Sequence, residues 1–385
     1  MPRILHLADL HLGRIFHGES LIEDQAHLLS QVTASIKDNP PDAVLLAGDL
    51  YDRALPPIDA VKLFDKFLSN LAETGTTVVA IPGNHDSAGR MAYATGAWEN
   101  LGIHIRADYR RLDEPIRVSA ADGSLFDIFA LPFVEPALLR ETLGLKIDSD
   151  RTANRMALAE AAIEIMRKSV SPGLPSILIA HEFVAGSIES GSERLYVGGS
   201  QSLPAELFQG FDYVALGHLH ATQTAGDEVI RYAGSPMAYA FDEAKQPKGF
   251  LEICLDSTQL YPEIEFHPLK PLRPMLVLED SLDALLRDRT YDSACESYVS
   301  ARINDGLSHL NLIGGLRERF PYLRELRQLP LEAVESGARG NSAVLETTES
   351  VMSDFLDRAG WEPGDERDVA LSLLADALDS TGGEP

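Results

Sequence analysis

Short apolar runs alternate with amphipathic stretches over the first two-thirds of the chain. The runs RILHLADL (3–10), DAVLLAGDL (42–50), TTVVAIPG (76–83), FDIFALP (126–132), SILIAHE (176–182) and YVALGHL (213–219) predict buried strands. Helices are predicted between some of them. DAVKLFDKFLSNLAETG (59–75) has apolar residues at 61, 63, 64, 67, 68 and 71, with Gly75 to stop it. RTANRMALAEAAIEIMRKS (151–169) is a second. EVIRYAG, GFLEICL and EIEFHPL follow as strands with no helix between them. A mixed α/β domain with two sheets fits this order better than a purely parallel one.

Near residue 270 the pattern changes. KPLRP (270–274) marks a boundary, and MLVLED, SLDALLRD, ESYVSARIND and LNLIGGLRERF then predict strand, helix, strand, helix in a small α+β unit. Past 330 the chain turns acidic and poor in aromatics. SAVLETTESVMSDFLDRAG and DERDVALSLLADALDS keep helical periodicity on either side of Gly360-Trp361-Glu362-Pro363-Gly364, which predicts a helix–loop–helix.

The composition, 45% hydrophobic and 24% charged over 385 residues, is that of a globular protein with room for a large core and an appendage. No apolar run has the length to span a bilayer, so no membrane association is expected. MPRILHLADLH lacks a basic region followed by an apolar stretch, so no secretory leader is expected. Cys254 and Cys295 lack metal-ligand spacing and read as reduced thiols in a cytoplasmic protein. The formal charge is −26, of which residues 331–385 hold −10 (13 Asp/Glu against 3 Lys/Arg) and the rest −16. Such a surface repels phosphate backbones at long range, so a nucleic-acid substrate would need a local site or a partner to overcome the repulsion.

The residues that end the apolar runs change the picture. The first run ends in Asp9 and His11, the second in Asp49, with Asp52 and Arg53 just beyond. The third ends in Asn84, His85 and Asp86, and later runs end in His181 and in His218 with His220. Residues just past strand ends in an α/β sheet line a shared crevice. Five of the eleven histidines occupy such positions; His6, His17, His27, His104, His267 and His309 read as ordinary core or surface residues. The chemistry suits two metal ions. Asp9, His11, Asp49 and His220 form one candidate site; Asp49, Asn84, His181 and His218 form the other, with Asp49 as the bridge. If the backbone there is extended, the i, i+2 pairs Asp9/His11 and His218/His220 point to one side. Two ions about 3.5–4 Å apart can clamp the attacking and leaving oxygens of a phosphoryl displacement. Imidazole, carboxylate and amide ligands without thiolate favour manganese, iron or zinc over calcium. Gly48, Gly83 and Gly217 each sit close before a ligand, where tight turns are expected.

In this order, D-x-H, G-D-x-x-D-R, G-N-H-D, a lone His and G-H-x-H resemble the motifs of the calcineurin-like metallophosphoesterases. The strings HLADLHLGRIFHG, LLAGDLYDRALPP, VAIPGNHDS, FDYVALGHLHATQ and YAGSPMAYAFDEAKQPKGF resemble the SbcD-like nucleases within that superfamily, closely over 1–270 and more loosely over 271–330. The resemblance implies a four-layer α/β/β/α sandwich (1–270), a small α+β capping domain (271–330) and an acidic C-terminal helical tail (331–385). It implies a dimanganese centre, with magnesium as the other option, held by Asp9, His11, Asp49, Asn84, His181, His218 and His220. It makes His85 the proton donor to the leaving oxygen, Asp52 the residue that orients His85, and Arg53 a phosphate contact. Asp86 reads instead as the cap of the turn that presents His85. The activity implied is cleavage of DNA, as a double-strand exonuclease and single-strand endonuclease in repair and recombination. A small-molecule phosphodiesterase or phosphomonoesterase on the same scaffold is the alternative, and a metal-bearing scaffold without catalysis is a third reading. The implied partners are DNA, a second copy of the chain within a heterotetramer, and an SbcC-type ATPase docked on the helix pair at about 347–380 through Val351, Phe355, Val369, Leu373, Leu374 and Leu378. The chain has no G-x-x-x-x-G-K-[ST] loop, so no nucleotide is expected on it.

Overall fold

The computed structural model describes residues 1–144, 151–191, 193, 202–255, 261–305 and 313–329. Met1–Leu331 form one compact unit. Its first sheet has six strands in the order Glu263–Pro268, Gly249–Cys254, Arg3–Leu7, Ala43–Ala47, Thr77–Ile81 and Ile103–Ile105. The last four are parallel, and Gly249–Cys254 pairs antiparallel with Arg3–Leu7. The second sheet, also of six strands, runs Gln223–Thr224, Ile230–Tyr232, Tyr213–Gly217, Ser176–His181, Leu125–Leu131 and Ile116–Ser119, with the middle four parallel.

Parallel strands need both faces covered, and the two sheets cover each other on one side. Ile4, Leu45, Ala47, Val79 and Ile81 of the first sheet share a core with Ile128, Ile177, Ile179 and Ala215 of the second. The alternate residues face outward onto helices. Leu5, Val44, Leu46 and Val78 pack with Leu28 and Val32 of helix Ile22–Asp38 and with Phe64, Phe67 and Leu71 of helix Ile58–Glu73. Phe129, Leu178 and Val214 pack with Leu139 of helix Pro136–Leu143 and with Leu158, Ile163 and Met166 of helix Arg151–Lys168. The result is the expected α/β/β/α sandwich.

Helix Ile22–Asp38 has no counterpart among the predicted helices, although Leu28, Leu29, Val32 and Ile36 recur at helical spacing on its buried side. Its first turn also buries two polar residues, Asp24 and Gln25, ahead of that apolar stripe. After Pro274 comes a parallel sheet of three strands, Met275–Asp280, Tyr298–Ile303 and Leu323–Gln328, with its own core around Leu285, Val299, Leu316 and Phe320. The third strand, LRELRQ, carries too many charges to read as one from its pattern. Asp24 ties this small sheet to the sandwich: its carboxylate accepts from Arg273 Nη1 (2.8 Å) and Tyr298 Oη (3.0 Å). The predicted helix–loop–helix past 330 lies outside the described residues, as does His309.

Candidate metal centre

The loops that leave the strand ends are built around close backbone contact. Past Leu7 and Ala47 the two chain segments stay joined, with Asp9 N–H donating to Gly48 O (3.1 Å), His11 to Asp49 O (2.9 Å) and Leu12 to Leu50 O (3.0 Å). Asp9, His11, Asp49 and His218 adopt φ of 55°, 42°, 49° and 104°. The expectation that Asp9/His11 and His218/His220 share a side because the chain is extended is therefore wrong. Left-handed backbone turns these side chains inward, a conformation that strains most residues and that Asp, Asn and His tolerate best.

The side chains converge. Asp9, His11 and His220 offer ligand atoms all within 4.8 Å of one another, and so do Asp9, Asp49 and His181. His11 Nε2 lies 3.1 Å from His220 Nε2. Asp49 Oδ2 stands between the two groups, 3.7 Å from His11 Nε2 and 3.4 Å from His181 Nε2. Asn84 Oδ1 lies 3.0 Å from His181 Nε2 and 3.1 Å from His218 Nδ1. All seven predicted ligands are thus gathered, and Asp9, His11, Asp49, His181 and His220 are buried.

These residues fit a pair of divalent cations. Asp9 Oδ2 is buried with no hydrogen-bond partner among the described residues, and the Asp9 carboxylate shares its space with the imidazoles of His11, His181 and His220. Burial pushes Asp9 up to about 7 and holds His218 down to about 3 and His11 well below the imidazole range. Burial also opposes charge on Asp49 and on His181. Their mutual attraction wins, holding Asp49 well below the carboxylate range and raising His181 to about 9. Carboxylate oxygens and imidazole lone pairs in so small a buried space are what a divalent cation compensates.

His85 stands beside the centre. Its main-chain N–H donates to Asp49 Oδ1 (2.8 Å), and its Nε2 lies 3.9 Å from Asp49 Oδ2. Its Nδ1 donates to the main-chain carbonyl of Asp52 (2.8 Å). The expectation that the Asp52 carboxylate takes this bond needs correcting: the main chain takes it. Asp52 Oδ1 lies 3.6 Å from His11 Nδ1 and 3.3 Å from Arg14 Nη1. Arg53 is exposed on the same turn, with no hydrogen bond or ion pair to another described residue. Asp86 accepts from the N–H groups of Leu50, Tyr51 and Gly83 at 2.9–3.0 Å, so it staples the second and third loops together.

Several residues around the centre carry no signal of a role in the sequence. Tyr239 stacks edge-on against His11 and His220, with the Arg14 guanidinium over its ring. Glu243 and Lys248 lie behind His220. All three fall in YAGSPMAYAFDEAKQPKGF, a string that carries family resemblance but no periodicity or spacing that points to a site.

A model of the calcineurin-like phosphoesterases matches residues 2–222. The D subunit of the SbcCD nuclease from Staphylococcus epidermidis is 34% identical over 337 residues, 87% of this chain and 87% of that protein. Its namesake from Staphylococcus saprophyticus is 32% identical over 319 residues, 81% of this chain and 82% of that one. The chain belongs to the calcineurin-like phosphoesterases and, within them, to the family of the SbcCD D subunits. It is a metal-dependent hydrolase of phosphodiester bonds.

Proposed function

We propose that this chain is a manganese-dependent DNA nuclease, an exonuclease on duplex ends and an endonuclease on single strands, that acts in repair and recombination. The observation that carries the reading is the gathering of Asp9, His11, Asp49, Asn84, His181, His218 and His220 into two adjoining cages with Asp49 Oδ2 between them. When bound, the two cations supply Lewis acidity for hydrolysis of a phosphate ester. The chain's own residues do the rest. The Asp52 carbonyl can only accept, so His85 Nδ1 carries a proton in either charge state and Nε2 is turned toward the cages. From there a protonated His85 donates to the leaving oxygen. Arg53, exposed next to Asp52 in the chain, meets a phosphate of the incoming strand in this reading.

Residues 1–270 act as the nuclease domain, 271–330 as its cap, and 331–385 as the docking segment for an SbcC-type ATPase. That partner supplies the nucleotide binding and the positive surface that a chain of charge −26 lacks. A second copy completes a heterotetramer in the cytoplasm. An apolar groove of about 380 Å³ beside helix Ile58–Glu73, rimmed by exposed Leu55, Val61 and Tyr93, supports self-association on that face. No helix among the described residues is long and apolar enough to cross a membrane.

The test offers manganese-loaded protein both end-labelled linear duplex DNA and p-nitrophenyl phosphate esters, with and without an SbcC-type partner and ATP. Cleavage of DNA, enhanced by the partner, is expected. Hydrolysis of the small esters alone would replace the nuclease reading with a small-molecule phosphodiesterase.

A further inference from the structure

We propose that Glu243 and Lys248 form a positioning pair for His220, and that this pair makes the Asp9–His11–His220 half of the centre the tighter half, the one that fills first. The inference rests on the two-cation reading above and assigns residues that reading does not use.

Glu243 is fully buried, with Oε1 3.2 Å from His220 Nδ1. Its other oxygen accepts from Lys248 Nζ at 2.6 Å and from Tyr239 N–H at 3.3 Å. The same Lys248 ammonium donates to the main-chain carbonyl of His220 (2.8 Å) and to Ser235 Oγ (2.9 Å). Lys248 therefore holds both the backbone that carries the ring and the carboxylate that orients it. A carboxylate accepts, so His220 Nδ1 is the donor. The lone pair is left on Nε2, which faces His11 Nε2 at 3.1 Å and shares a cage with Asp9.

The other half of the centre is built differently. His181 Nδ1 donates to the main-chain oxygen of Ala47 at 2.8 Å, a neutral acceptor. Its Nε2 faces the Asn84 amide oxygen at 3.0 Å and Asp49 Oδ2 at 3.4 Å, so both halves have carboxylates among the ligand atoms and differ in what holds the outer nitrogen of the imidazole. An anionic partner on the outer nitrogen raises the basicity of a ligating imidazole more than a neutral carbonyl does, and removal of such a partner typically weakens metal affinity about 10–100-fold. The bland reading of the same contacts is a buried ion pair that merely ties the 235–248 turn to the sheet. The two differ in one respect: a structural tie, once cut, loosens the centre as a whole, whereas a positioning pair affects one cation.

The experiment titrates metal-free full-length protein with Mn²⁺, followed by calorimetry and by electron paramagnetic resonance. Wild type is expected to bind two ions in two steps, with a mononuclear signal after the first equivalent and a spin-coupled pair after the second. Glu243→Gln keeps the volume and an acceptor but removes the charge. One step is expected to weaken about 10–100-fold and the other to stay within a factor of two or so, with the coupled signal displaced to higher Mn²⁺. Lys248→Met, which leaves the carboxylate in place, is expected to do the same to a smaller extent, and decides the matter if Glu243→Gln does not fold. Two unchanged steps, or equal weakening of both, in a folded variant overturns the positioning role. Fewer than two ions on wild type overturns the two-cation reading instead.

Discussion

His85 and Asp52 show how differently neighbouring residues can serve one reaction. His85→Ala removes no predicted ligand, so the variant is expected to bind manganese as wild type does and to lose about 10²–10⁴-fold in cleavage rate. Single-turnover assays on metal-quantified protein check this, and unimpaired cleavage would remove His85 from the chemistry. Because the Asp52 main chain, not its carboxylate, holds His85 Nδ1, Asp52→Asn is expected to reduce the rate far less than His85→Ala in the same assay. Motif spacing placed these residues in the loop; it had no means to say which oxygen of Asp52 would make the bond. His6 is a histidine of another kind. It is buried on the first strand, bonded to Tyr213 Oη and Leu216 O, and burial lowers it to about 3. The unfolded imidazole takes a proton near pH 6.5 that the folded one refuses. Its contribution to stability is therefore whole above pH 6.5 and falls as the pH drops toward 3, by about 1.4 kcal/mol per pH unit. Urea unfolding between pH 7 and 4.5 should show a steeper acid loss for wild type than for His6→Gln; parallel curves would mean the folded ring takes the proton.

Most strands of the two main sheets and the helix Ile58–Glu73 were legible because burial and amphipathic period are written directly into residue type, and the helix Arg151–Lys168 because it is a run of strong helix formers such as Ala, Met, Leu, Glu and Arg. The short strands Ile103–Ile105, Ile116–Ser119 and Gln223–Thr224 were not, since two to four residues carry too little pattern. Nor was the geometry of the ligand loops, where left-handed backbone at Asp9, His11, Asp49 and His218 depends on contacts between distant segments. The glycines show why those segments can meet. A Cβ at Gly83 would lie 2.2 Å from Asp49 Oδ1, and one at Gly217 would lie 1.8 Å from the main-chain oxygen of Ala47. Backbone cannot yield as a side-chain tip does. Gly217→Ala is expected to force the strand Tyr213–Gly217 away from Ala43–Ala47 and to destabilise the fold by more than about 4 kcal/mol. A melting temperature within a few degrees of wild type would show that the two sheets are not in such close contact there.

In the whole molecule, two sheets bring loops from five stretches of chain to one place, and a smaller sheet is attached through a buried carboxylate. Asp24 is almost wholly buried and pairs with Arg273, so Arg273→Ala leaves that charge without its main partner, a change that typically costs roughly 3–5 kcal/mol. Hydrogen exchange over 275–303 is expected to accelerate in this variant while manganese binding is retained; unchanged exchange would mean that other contacts hold the small sheet. The pattern change near 270 lies just before the strand Met275–Asp280, but nothing in the sequence singled out Asp24, since a buried aspartate and an exposed one read alike until their partners are known. The central claim, that seven gathered side chains hold a pair of divalent cations, is tested most directly by metal content. After reconstitution with Mn²⁺ and gel filtration, wild type should carry two manganese ions per chain by elemental analysis, and Asp49→Ala, which lacks the bridging carboxylate, clearly fewer. No bound manganese on wild type, or two ions on both proteins, would contradict the account.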